Sequence, residues 1–290
     1  MNYQAIDENR DIGAVVTLCR GLDVSVSGYY AWRRRGPSAH QQRDAELIEH
    51  IRAEQKQGRG LYGSDRIYYA LRCEQGIVCS RKRIARLMRE NGLNSRRRRR
   101  WKVRTTDSRH NRPVAPNLLD RDFSATAPNE KWLGDIVGIW TGGGWLYLAT
   151  ILDCFSRMIV GWAMSAHRDE ALVEEALRMA LQRRQIMPGS DLMHHTDRGS
   201  QYTADDYLAL LRSRGIVVSM SRKADPYDNA MMESFFATLR AELTELEQFA
   251  TRAAAQVAVF DYIEVFYNRQ RIHTSIGYTH PTAYEACHLP

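Results

Sequence analysis

This chain is short of cysteine, of long apolar stretches and of internal repeats, and each shortage removes a class of protein. Its 290 residues hold five cysteines, Cys19, Cys73, Cys79, Cys154 and Cys287, with no C-x-x-C pair among them. Neither a disulfide framework nor a four-cysteine zinc site is signalled, and a reducing, cytoplasmic setting fits. Apolar runs stay short: Trp145 to Leu152 spans eight residues, far below the roughly 20 that a membrane-spanning helix needs. The first residues lack the basic-then-apolar order of an export signal, so no membrane partner and no export are expected.

Charge is present and unevenly placed. The net +7 comes from 41 Lys and Arg against 34 Asp and Glu, which suggests a polyanionic partner without naming one. Residues 1–112 carry 25 basic and 12 acidic side chains, whereas 113–290 carry 16 and 22. The two parts are expected to do different jobs.

In the basic part, Leu47, Ile48 and Ile51 share one face of a helix expected from Ala45. A second helix is expected over 64–73, and a third from Ser80, a suitable N-cap, to Gly92. Three short helices around small turns suit a helix-turn-helix domain over 45–95, preceded by a small helical segment over 1–44. Arg81, Lys82, Arg83 and Arg86 crowd the polar face of the third helix, and Arg96, Arg97, Arg98, Arg99 and Arg100 form an unbroken run before Lys102. Such a run repels itself until phosphates neutralise it. The plainer reading, a solvated helix face and a basic linker, leaves 19 basic against 5 acidic side chains over 51–112 without a polyanion. Residues 96–128, basic and then proline-containing, read as a linker.

From Lys131 the pattern changes to strands. Residues 132–153 read as an antiparallel hairpin around Thr141–Gly144, with a third strand over 158–164. An amphipathic helix over 169–184, a strand over 192–195, a helix over 204–214 and a strand over 216–220 follow. This order predicts an α/β fold of the ribonuclease H-like kind: a five-stranded mixed sheet with helices over 129–247, then a C-terminal helix and tail over 248–290. Asp135 falls mid-strand among apolar residues, where a carboxylate is costly unless a partner or cation meets it. Asp197 follows the fourth strand, and Glu233 lies on a helix opened by Asp228 and Asn229. Three carboxylates without clustered cysteine or histidine favour Mg²⁺ or Mn²⁺. Two such ions serve phosphodiester displacement without a protein nucleophile.

Asp197 and Glu233 are separated by 35 residues, and with Asp135 this resembles the D, D(35)E signature of retroviral integrases and related transposases. The segments WLGDI, GGGWLYLATILDCFSRMIVGW, HHTDRGSQY, SMSRK, YDNAMMESFFATLRAE and YIEVFYNRQRIHTSIGY resemble, in the same order, the OrfB transposases of the IS-three family of bacterial insertion sequences. YGSDRI, RKRIARLMRENGL and VSVSGYYAWRRR are similar to that family's helix-turn-helix portion, so the likeness runs through nearly the whole chain. The resemblance implies a transposase that cleaves DNA at element ends and joins the freed 3′-hydroxyl to another phosphodiester, with Asp135, Asp197 and Glu233 as catalytic and metal-holding residues. It also implies DNA partners (element ends and target), an OrfA protein or its frameshift fusion, self-assembly, and a nucleoid-associated place of work. Starting at its own methionine and lacking a heptad zipper, the chain looks like the OrfB half alone.

Some positions depart from the family. Lys223-Ala224-Asp225-Pro226-Tyr227 stands where glycine and asparagine are usual, and proline with alanine should stiffen that loop. Arg240 occupies a position often held by lysine, on the face of Glu233 and Ala237 and within reach of a phosphate. Arg66 keeps the second arginine of a YG-x-R-R-I pattern, and Asp65 replaces the first.

Several neighbours have plain structural readings: His194 and His195 as satisfied core histidines, Asp153 as a turn carboxylate with a backbone or arginine partner, Asp228 and Asn229 as helix caps. Two other functions stay open, a DNA-binding regulatory or accessory protein with an inactive core and a ribonuclease acting on RNA–DNA hybrids.

Overall fold

The computed structural model describes residues 2–96, 114–222 and 225–288; Arg97, Arg98, Arg99, Arg100 and Lys102 lie outside them. At the N-terminus α1 (Asn2–Glu8), α2 (Val15–Gly21) and α3 (Val26–Arg34) enclose a small core of Ile6, Cys19 and Tyr29. Ser25 starts α3 by accepting a hydrogen bond from the Gly28 N–H. The Tyr29 hydroxyl donates to Asp7 at 2.7 Å.

Next come α4 (Ala39–Gln57), α5 (Ser64–Glu74) and α6 (Arg81–Glu90). α4 begins six residues before the expected Ala45, because Ser38 and Gln41 form a reciprocal capping box that satisfies the free N–H groups there. Ser80 caps α6 as expected, accepting from the Arg83 N–H. Ile51, Ile67, Leu71 and Ile84 close the space between the three helices.

The sheet is built from β1 (Lys131–Thr141), β2 (Gly144–Asp153) and β3 (Ile159–Ser165), an antiparallel meander, then β4 (Met193–Thr196) beside β1 and β5 (Val217–Met220) beside β4, both pairings parallel. The spatial order is β3-β2-β1-β4-β5. Each parallel crossover carries a helix, α7 (Glu170–Arg184) before β4 and α8 (Asp205–Ser213) before β5. This is the ribonuclease H-like arrangement. At the hairpin, Thr141 donates to the Gly144 carbonyl at 2.7 Å, and Gly144 takes the φ of +96° that the turn requires.

Strand alternation divides the sheet into two faces. Trp132, Ile136, Ala149 and Ile151 pack under α7 and α8. Gly161 is needed there, since a Cβ would sit 2.3 Å from the Ala176 carbonyl oxygen of α7. Leu133, Val137, Leu146, Leu148 and Leu152 face α9 (Ala230–Leu239) and α10 (Arg252–Phe260), which runs on as a π-helix over Asp261–Tyr267 before α11 (Pro281–His288). The helix-turn-helix residues join this second core without a break. The buried Tyr62 hydroxyl seals the junction, donating to the Gln270 carbonyl at 2.9 Å and accepting from the Ile272 N–H at 3.1 Å. Among the described residues no helix is long and apolar enough to cross a membrane.

Candidate active site

Sheet register brings the first two carboxylates level. Trp132 pairs with His194 and Leu133 with His195 across the parallel β1–β4 ladder. Two residues further along both chains stand Asp135 and Asp197. Asp135 also faces Thr150 across β2, on the side of the sheet that α9 covers. Asp197 lies one residue past β4, where its Oδ1 accepts from the Gly199 N–H at 2.9 Å. A Cβ at Gly199 would come 3.0 Å from that same oxygen and 2.8 Å from Gln201 Oε1, so a larger residue there would displace both side chains.

Glu233 is carried by the first turn of α9 and is exposed. The helix is anchored by Met231, Met232, Phe235 and Phe236 in the core and by Asn229, whose Nδ2 donates to the Gly134 carbonyl next to Asp135 at 3.3 Å. Asp135 and Asp197 therefore stand together, with Glu233 entering from the helix above. Among the described residues no three His, Cys, Asp or Glu side chains make a closed metal-holding group.

Electrostatics single out Asp135. Burial, then the field of Asp197 and to a smaller degree that of Glu233, push its carboxyl up to about 8, against an Arg168 that pulls it down. A carboxylate so placed is short of positive charge. The donors of Asp135, Asp197 and Glu233 are all oxygen, a chemistry that would suit a hard divalent cation.

The surrounding polar residues are structural. His195 bonds through Nδ1 to Ser219 at 2.8 Å and through Nε2 to Ser221 at 3.0 Å, and His194 Nε2 bonds to the Tyr207 hydroxyl at 2.6 Å. Burial lowers the two imidazoles to about 3 for His194 and about 4 for His195, so both are neutral. Asp153, fully buried, accepts from the Asn129 and Phe155 N–H groups and from Trp132 Nε1. Asn229 holds the N-cap position of α9 as expected, but its side chain makes no capping hydrogen bond, and Asp228 is engaged elsewhere. The Asn229 side chain goes to Gly134, and Asp228 accepts from the Arg222 N–H at 2.7 Å, Arg222 Nη2 at 2.8 Å, Asn117 Nδ2 at 2.9 Å and Arg121 Nε at 3.3 Å. The Arg222 hydrogen bond, reinforced by that of Arg121, holds its carboxyl at about 2. Nothing local in the sequence signals this cluster, since Arg121 stands over 100 residues away. Arg168 beside Asp135 was likewise invisible in the sequence.

The basic candidates are divided. Arg83 and Arg86 converge on Asp44 at 2.6 and 2.7 Å, and Arg86 also reaches Glu90 at 2.8 Å. Arg81 donates to the Tyr69 hydroxyl at 2.7 Å, and Lys82 and Arg96 are exposed. Arg66 lies over the Tyr62 ring, 3.8 Å from Glu242. Arg240 follows the last residue of α9, where a π-helical turn over Arg240–Thr244 begins.

The chain joins an integrase-type core to a helix-turn-helix-like region. Family models described as "Integrase core domain" match residues 125–226 and 214–281, and one described as "HTH-like domain" matches 41–101. The chain is 43% identical to the "Insertion element IS600 uncharacterized 31 kDa protein" of Shigella sonnei, over 92% of this chain and 97% of that one. It is 38% identical to the "Transposase InsF for insertion sequence IS3A" of Escherichia coli (strain K12), over 98% of both. The HTLV-2 integrase catalytic core domain in complex with magnesium (trimeric form) is 15% identical, with a TM-score of 0.42 over 56% of this chain and 99% of that one. The chain belongs to the IS3 family of insertion-sequence transposases.

Proposed function

We propose that this transposase cleaves DNA strands at the ends of its element and transfers the freed 3′-hydroxyl to a target phosphodiester, with Asp135, Asp197 and Glu233 as the reactive carboxylates. The observation that carries this reading is the side-by-side placement of Asp135 and Asp197 by the β1–β4 register, on the face where α9 brings Glu233. Two Mg²⁺ or Mn²⁺ ions held by these carboxylates would activate the attacking oxygen and stabilise the leaving one. Asn229 and the apolar face of α9 fix the helix against β1. Arg168 tempers the negative charge at Asp135, and Arg240 serves as a phosphate contact on the same helix. Lys82 and Arg96, with Arg81, Arg83 and Arg86, the run Arg97 to Arg100 and Lys102, hold the DNA from the 45–95 domain and the linker after it, while 129–247 carries the chemistry. The working complex is an oligomer on nucleoid DNA in the cytoplasm, joined by OrfA or its fusion.

The test is strand cleavage and joining on element-end DNA with Mg²⁺, with and without OrfA. Glu233→Gln should abolish both reactions while DNA binding persists; unchanged rates would overturn the assignment. Cleavage of RNA–DNA hybrids without strand joining would make the protein a ribonuclease.

A further inference from the structure

Between the helix-turn-helix region, α9 and the C-terminal segment lies a cavity of about 350 Å³. Its wall is cationic: Arg66 from α5, Arg157 from the β2–β3 turn and Arg271 after the long C-terminal helix all line it. Opposing charge is scarce. Glu242 accepts two hydrogen bonds from Arg271, both at 2.7 Å, and stands 3.8 Å from Arg66, so this carboxylate meets two of the three guanidinium groups. Arg157 makes no ion pair among the described residues. Ser234, next in sequence to Glu233, adds a hydroxyl.

A second, independent feature points into the same space. His273 lines the cavity, is 6% exposed, and leaves its Nε2 without a partner among the described residues. A polar atom so dry is costly unless a ligand meets it. Burial and the fields of Arg271, Arg66 and Arg157 disfavour a charge on this imidazole and outweigh its hydrogen bond to the Tyr267 backbone; all three arginines line the same cavity.

We propose that this cavity is a phosphate-binding site, in which Arg66, Arg157 and Arg271 receive one phosphate oxyanion. Guanidinium forks match phosphate oxygens in pairs, and a partly enclosed site strengthens each charge-assisted bond. The phosphate belongs either to a DNA backbone or to a free phosphate compound. The position, one residue past Glu233 and against α5, favours the backbone. That preference rests on the strand-transfer reading; the phosphate chemistry does not.

The experiment titrates inorganic phosphate into the full chain at constant ionic strength and follows ³¹P line broadening. Wild type should show saturable binding, weakened about fivefold or more in Arg157→Gln, which breaks no ion pair, and similarly in Arg66→Gln. Circular dichroism and melting temperature confirm that each variant is folded. Absence of saturable binding at millimolar phosphate, or equal binding by wild type and both folded variants, overturns the site. Element-end duplex DNA is then added: release of bound phosphate, with weaker DNA affinity in Arg157→Gln, assigns the site to a backbone phosphate. Retention of phosphate beside bound DNA overturns that source and assigns a free phosphate compound. Absence of strand joining by the wild-type protein, with phosphate binding intact, would remove the catalytic proposal and leave the site standing.

Discussion

Two aspartates near the base of α9 have opposite surroundings. Asp228 is fully buried, yet two arginines, an asparagine and a backbone N–H surround it, and its carboxyl is held at about 2. Asp135 is half-buried, faces Asp197, and is pushed up to about 8. Burial alone therefore does not separate the two: burial and the like charge of Asp197 raise Asp135, whereas at Asp228 the arginine hydrogen bonds outweigh burial. The partner decides: where cations converge the charge stabilises the fold, and where like charge converges the fold is strained until a cation arrives.

Breaking the Asp135 side should have the largest effect. Asp135→Asn should lower strand joining by about 1,000-fold or more while raising stability by ~1–2 kcal/mol near neutral pH. The sign follows from the raised folded pKa. Wild type keeps the proton that its unfolded chain releases above about pH 4, so its folded state loses relative stability from there up to about pH 8. Urea melts of both proteins should diverge across that window and coincide below about pH 4. A variant less stable than wild type at neutral pH would refute the strain.

Asp228→Asn should act the other way, costing about 2–3 kcal/mol, below the full range for breaking a buried ion pair because both arginines are half-exposed. The depressed folded pKa makes this contribution complete above about pH 4 and lost as pH falls through about 2. A neutral-pH melt matching wild type would show that the arginines do not stabilise the fold. Tyr62→Phe supplies the uncharged baseline, with an expected loss of ~1 kcal/mol. Hydrogen exchange at Ile272, whose N–H the hydroxyl accepts, should quicken in that variant alone.

Much of this was readable before folding. The hairpin, the later strands and the helices after Ser64 and Ser80 followed from alternation, periodicity and caps, because these patterns are local. Asp135 stood out as a charge in an apolar strand for the same reason. The pairing of Asp228 with Arg121 and Arg222 was not legible, and Asp228 read instead as a helix cap. Its neighbourhood is assembled from the segment before β1, the end of β5 and the start of α9, which no window of sequence contains. Arg168 beside Asp135, and Tyr62 bonded to the chain at 270–272, belong to the same class of distant contacts.

By itself, the sequence determined the elements, the division of charge between 1–112 and 113–290, and the family, through motifs kept in order along nearly the whole chain. Tertiary structure decided which carboxylates share a site, which arginines are already committed to acidic partners, and that the helix-turn-helix residues and the α9 face of the sheet share one core. The reason is physical. Helices and strands are selected by neighbours a few residues apart, whereas the charge state of a buried group is set by whatever the fold brings beside it.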